Sequence, residues 1–101
     1  MAKSLGIFVS SNNHLDKVIK LCKAAKKKEV EVSIFLTHLG ALLPQDPRFV
    51  ELEGLARMAL CSVSLESYGL KPPLPCIGKE DYATQARHAE IIEECDRYVV
   101  F

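Results

Sequence analysis

Long apolar runs are missing from this chain, and so is an excess of either charge. No stretch approaches the ~20 apolar residues that a bilayer-crossing helix needs, so a membrane partner is not expected. Thirteen Lys and Arg stand against thirteen Asp and Glu. The basic footprint of a nucleic-acid binder is therefore absent, and no direct nucleic-acid binding is expected. Lys3 and Ser4 run straight into Leu5–Val9, a stretch too short for a signal-peptide core and without a cleavage site. A cytoplasmic protein is expected, with Cys22, Cys61, Cys76 and Cys95 as free thiols.

Several chemical signatures are also missing. No C-x-x-C pair exists, which excludes the zinc-ribbon and thioredoxin patterns. No G-x-G-x-x-G or G-x-x-x-x-G-K-[ST] occurs, which excludes the dinucleotide fingerprint and the P-loop. A C-x5-R phosphatase needs Arg six residues after its nucleophile, and Ser67 stands there for Cys61. A phospho-acceptor receiver needs carboxylates after its first and third strands, where this chain has Ser10-Ser11 and Cys61-Ser62. No Cys/His spacing suits a metal, and no cofactor is implied.

What is present suits one ordinary domain over residues 1–101. The chain is 49% apolar and 26% charged, and a domain of that size buries roughly 60–70% of the surface its unfolded chain exposes. Leu5–Ser10 reads as a first strand, continuous enough in apolar residues to be covered on both faces. Ser10–Asn13 offers a turn and N-cap candidates for a helix with the stripe Leu15, Val18, Ile19, Cys22 and Ala25. Its terminal lysines read as a solvated cationic end that complements the helix dipole. Val30–Thr37 is a second strand, and strand–helix–strand demands a parallel pair.

Asp46-Pro47 reads as N-cap and N1 of a second helix with Phe49, Leu52, Leu55 and Ala56 inward. Met58–Val63 is a third strand. Leu65–Tyr68 forms a helical turn stopped by Gly69. The Pro72–Pro75 segment breaks regular structure, and Cys76–Gly78 is either a vestigial strand or a loop. Asp81 is taken as the cap of a last helix with the stripe Tyr82, Ala86, Ala89, Ile92 and Cys95. Arg97–Phe101 closes the domain. The alternation predicts a three-layer α/β/α sandwich with a parallel sheet of four or five strands.

Ligands of open parallel sheets bind outside the carboxyl ends of the strands. That edge collects Ser10, Ser11, Asn12 and Asn13 after the first strand, and Thr37 and His38 after the second. Cys61–Ser64 follow the third strand, and Cys76–Lys79 could approach the same edge. Ser11-Asn12-Asn13 reads either as an anion-binding helix entry or as a plain N-cap. Cys22 and Cys95 read as core thiols, and His14 and His88 as surface residues. Cys61 reads either as a small buried hydrophobe or as a thiolate activated by His38 or by the following helical turn. Cys76 reads as exposed and able to play a redox or resolving part.

The strands Gly6–Ser10 and Val32–Gly40, the segment Met58–Ser64 with Tyr68-Gly69, and the closing Glu94–Phe101 resemble the DsrE/DsrF-like sulfur-relay family (the DsrEFH and TusBCD type). The resemblance spans essentially the whole chain. It implies that Cys61, eight residues before Gly69, carries a persulfide or thiosulfonate and passes sulfur to a sulfur-carrier protein partner; a homo-oligomer is a further expectation. Alternatives are a non-catalytic small-molecule-binding or assembly module of the same fold, or a Cys61/Cys76 thiol-redox switch. Ser67 and Tyr68 stand where catalytic members carry basic residues, and Glu29 stands at a common glycine.

Overall fold

Side-chain alternation along the strands assigns each apolar residue to one of two faces, and the computed structural model, which describes residues 3–101, shows both faces covered. Five strands form one all-parallel sheet: β1 (Lys3–Val9), β2 (Val30–Leu36), β3 (Arg57–Cys61), β4 (Tyr82–Ala83) and β5 (Arg97–Val100). Their spatial order is β4-β3-β2-β1-β5. The register sets Ile7 beside Ile34 and Ile34 beside Met58. The expected α/β/α sandwich with a parallel sheet is therefore present.

The two faces are covered unequally. Ile7, Val9, Val32, Ile34, Leu36, Met58 and Leu60 point to the face that carries helix α1 (Leu15–Lys27). There they pack against Leu15, Val18, Ile19, Cys22 and Ala25, the stripe read from the sequence, together with Leu43, Phe49, Leu52 and Ile77. The opposite face carries one helix of the last crossover, Gln85–Glu94. Its small core is Phe35, Ala59, Cys61 and Ile91, flanked by Phe8 and Cys95. At the sheet's amino end, Asp96 Oδ2 accepts from the Ser4 amide at 2.9 Å, which ties the entry of β5 to β1.

Several local expectations are corrected. The segment after β2 forms two 3-10 stretches, His38–Gln45 and Pro47–Leu52, in place of a loop and an α-helix. Pro44 lies inside the first stretch and removes a donor that an α-helix there would need. Asp46 does cap the second stretch, accepting from the Arg48 amide at 2.9 Å. Gly40 packs so closely on the end of β1 that a Cβ would collide with the Val9 carbonyl. Strand β3 stops at Cys61, and Ser62 and Val63 open a short helix, α2 (Ser62–Ser67). Gly69 ends this helix at φ 62°, with its amide bonded to Glu66 O.

Cys76–Gly78 is not a strand, whereas Tyr82–Ala83 pairs with Leu60 and Cys61. The helix Gln85–Glu94, α3, is capped by Thr84 rather than Asp81; Thr84 Oγ1 accepts from the Ala86 amide at 3.3 Å. Its inward residues are His88 and Ile91, with Cys95 just past its end; of the expected stripe Cys95 packs against the sheet, whereas Ala86, Ala89 and Ile92 are exposed. Ile92 is 39% exposed and Cys95 is only partly buried. His14 is the N-cap of α1 and makes no side-chain capping bond, so Ser11, Asn12 and Asn13 do not serve as its cap.

Candidate functional site

Cys61 is the last residue of β3 and the N-cap of α2. The strand alternation turns its side chain to the α3 face, beside Phe35, Ala59 and Ile91. It is 3% exposed. Burial alone would raise a thiol's pKa by penalising the anion.

Around Cys61, four polar side chains from the carboxyl edge converge. Gln85, the first residue of α3, donates from Nε2 to Cys61 Sγ at 3.4 Å and to Thr37 Oγ1 at 3.5 Å. Thr37 Oγ1 lies 3.5 Å from Ser64 Oγ, which accepts from the His38 amide at 3.0 Å. His88 Nδ1 lies 3.1 Å from Gln85 Oε1. Thr37 and Ser64 are both buried, so each must find its hydrogen-bond partners inside the protein.

These groups bear on how readily Cys61 ionises. Burial is the largest single influence and pushes the thiol up. The Ser64 amide, the Ser64 hydroxyl, the Val63 amide and Gln85 act the other way and together hold it below its ordinary value. No capping bond closes onto the sulfur, so the first-turn amides act as donors available to an anion. Elsewhere burial prevails. It pushes Cys22 up to about 11. It also raises Cys76, with help from Glu53, and Cys95, despite the opposing bond from Ser4.

The sequence-derived candidates divide. Cys61 and the residues after β2 meet, but His38 enters through its backbone amide while its side chain is exposed. Asn12 and Asn13 are exposed. The Ser11 hydroxyl oxygen is buried and has no hydrogen-bond partner. Cys76 packs with the α1-face core, and its thiol reaches toward Phe49 O at 3.8 Å. Cys61 belongs to the small α3-face core, whereas Cys76 packs against the α1-face core and also borders the hollow beside Ala59 and Ile91.

Gln85 and His88 were missed. Gln85 follows β4, a strand too short to show in the apolar pattern. Recognising Tyr82–Ala83 as a strand would have brought Thr84 and Gln85 under the same carboxyl-edge rule. His88 packs on the rings of Phe8 and Phe35 rather than lying free on the surface, and this burial lowers its pKa.

Two hollows open elsewhere. One of about 530 Å³ lies at the amino edge, lined by Lys26, Glu29, Gly54 and Arg57 among others. The second, about 600 Å³, borders β3 and α3 with Arg57, Arg87, Glu80, Asp81, Glu90 and Glu94. Cys61 lines neither. Among the described residues, no group of three His, Cys, Asp or Glu side chains is placed to hold a metal, and no helix is long and apolar enough to cross a membrane. Comparison of the chain with protein-family models, with curated proteins and with solved structures finds no match.

Proposed function

We propose that this chain is a DsrE-like sulfur carrier or sulfurtransferase that works through a Cys61 persulfide. The observation that supports this most is electrostatic. Among the four thiols, Cys61 alone is held below the ordinary cysteine value, and it sits at the carboxyl edge of a central strand. The thiolate is the nucleophilic form of cysteine, and donors aimed at it raise its share at neutral pH.

The step is a thiol–persulfide exchange. The Cys61 thiolate attacks the outer sulfur of a donor persulfide. A new S–S bond forms at Sγ, the donor's S–S bond breaks, and the donor leaves as a thiolate. An acceptor thiolate then takes the outer sulfur from Cys61, and the Cys61 thiolate returns as leaving group. No net oxidant or reductant is consumed. The proposed partner is a cytoplasmic sulfur-carrier protein with an acceptor thiol. A homo-oligomer is proposed with it, supported by the exposed Tyr98, Val99 and Val100 on edge strand β5.

The 3% exposure of Cys61 favours a second reading, a non-catalytic binding or assembly module in which the thiol is core. Intact-mass measurement separates the two. A variant with Cys22→Ala, Cys76→Ser and Cys95→Ser is incubated with a small persulfide donor. A gain of one sulfur atom, lost when Cys61→Ser is added, is the expected result. A chain that takes no sulfur while Cys61 resists alkylation is the module.

A further inference from the structure

A glutamine amide presents an acceptor oxygen at one end and two N–H donors at the other, and its neighbours decide which end faces where. A thiolate only accepts. It therefore needs the Nε2 end of Gln85, which is the end found 3.4 Å from Cys61 Sγ. That orientation leaves Gln85 Oε1 facing His88 Nδ1 at 3.1 Å, and an oxygen there calls for a proton on Nδ1. If the ring proton sat on Nε2 alone, Nδ1 would be an acceptor and would draw the amide N–H₂ toward itself. The amide oxygen would then face Cys61, where it repels an anion and suits only a neutral thiol.

Resting on the reading of Cys61 as a working thiolate, we propose that His88 is a positioning residue. Its Nδ1–H holds Gln85 so that the amide donates to the Cys61 sulfur. The rest of the chain of contacts agrees in polarity. Gln85 Nε2 also donates to Thr37 Oγ1, which frees the Thr37 hydroxyl proton for Ser64. Ser64 Oγ accepts from the His38 amide, which leaves its own proton for the sulfur. Every movable proton can thus be directed toward Cys61. Phe35 stacks on the imidazole ring and Phe8 packs tilted against it, which holds the ring in place. The lowered basicity of His88 keeps the ring neutral at pH 7, with a single proton whose position matters.

The test uses the variant that retains only Cys61, with thiolate absorbance titrated and alkylation rate measured at fixed pH. Gln85→Leu is expected to cut the thiolate fraction at neutral pH by about tenfold, the usual weight of one charge-assisted hydrogen bond. His88→Phe keeps a ring against Phe8 and Phe35 but removes Nδ1, and is expected to cut it by about threefold. Adding His88→Phe to Gln85→Leu should then cost nothing more, because His88 acts through Gln85. His88→Asn, which can again offer an N–H, should recover part of the loss and also serves if His88→Phe does not fold.

Ring-nitrogen NMR of the chain labelled at histidine reads the tautomer directly, and the Nδ1–H form is expected for His88. An Nε2–H tautomer, an unchanged Cys61 titration in His88→Phe, or losses that multiply in the double variant would overturn the proposal. Sulfur uptake measured on the same proteins keeps the two ideas apart. If Cys61 titrates as described yet never gains sulfur, the carrier reading falls and the positioning role of His88 stands.

Discussion

On the α1 face, side chains from β1, β2 and β3 interdigitate with a thirteen-residue helix and with Phe49 and Leu52 from the 3-10 stretch that precedes β3. On the α3 face, one ten-residue helix lies over Phe35, Ala59 and Cys61, and a single residue of that helix, Ile91, is fully part of the core. The first face is apolar throughout its depth. The second places a glutamine, a histidine and a buried thiol against the sheet. A deep apolar layer can support the fold while a thinner layer tolerates polar groups that must keep donors free. Two of the thiols show the contrast, although Cys95, at the rim of the thin layer, is raised by burial as well. Cys22 in the deep layer is pushed up to about 11 by burial. Cys61 is also buried, but the donors around it bring it below the ordinary value.

Substitutions can test that asymmetry. Phe49→Ala removes a fully buried ring from the deep face and should destabilise the protein by about 3–5 kcal/mol in urea denaturation. Ile91→Ala empties the one core position of α3 and should cost about 2 kcal/mol, because the thin layer can settle into the gap. Equal losses at the two sites would show that the faces carry equal weight.

Cys22 gives a pH signature of the deep face. Its folded pKa lies near 11, above its ordinary value of 9.0. Between these values the unfolded chain has lost a proton that the folded chain retains, so stability falls as pH rises from about 9 to 11. The Cys22 share of the decline should reach about 2 kcal/mol, and Cys22→Ala should remove most of the fall, leaving the part that belongs to Cys76 and Cys95. A Cys61→Ser variant that removes the decline instead would reverse the assignment of the two layers.

The smallest effect lies outside both faces. Glu29 follows α1 at φ 58°, a left-handed conformation that suits glycine. Glu29→Gly should stabilise by up to about 1 kcal/mol, the relief of strain being partly offset by the freedom glycine gains when unfolded. Thermal denaturation reads it as a small rise in Tm, and a fall would show that the Glu29 side chain carries an interaction of its own.

Much of the deep face was legible in the sequence because it is periodic. The stripe Leu15, Val18, Ile19, Cys22 and Ala25 is buried as its spacing requires. The run in β1 reads as covered on both faces, and Phe8 does face away from Ile7. The thin face was harder to read. The inward residues at α3 are His88 and Ile91, with Cys95 after its end, and hydropathy ranks Ile92 above His88, so apolar periodicity finds Cys95 but not the other two. Strand β4 is two residues long, and no periodicity can be seen over two residues.

The candidate site shows the same limit. Its cysteine was visible because an apolar strand ends there, at the carboxyl edge of a parallel sheet. Ser64 lies in the turn that follows it, but Thr37, Gln85 and His88 come from two other places along the chain, and no local pattern joins them.

By itself the sequence determined the α/β class, the parallel pairing and the deep apolar layer. Each follows from local periodicity and from the need to bury apolar side chains, and both can be read within a window of a few residues. The tertiary structure alone decided the strand order and the meeting of Thr37, Gln85 and His88 with Cys61 and its neighbour Ser64. At Cys61 the two levels meet. Burial pushes the thiol up, while Ser64 and Val63 of the turn that follows it in sequence, joined by the distant Gln85, act the other way and prevail.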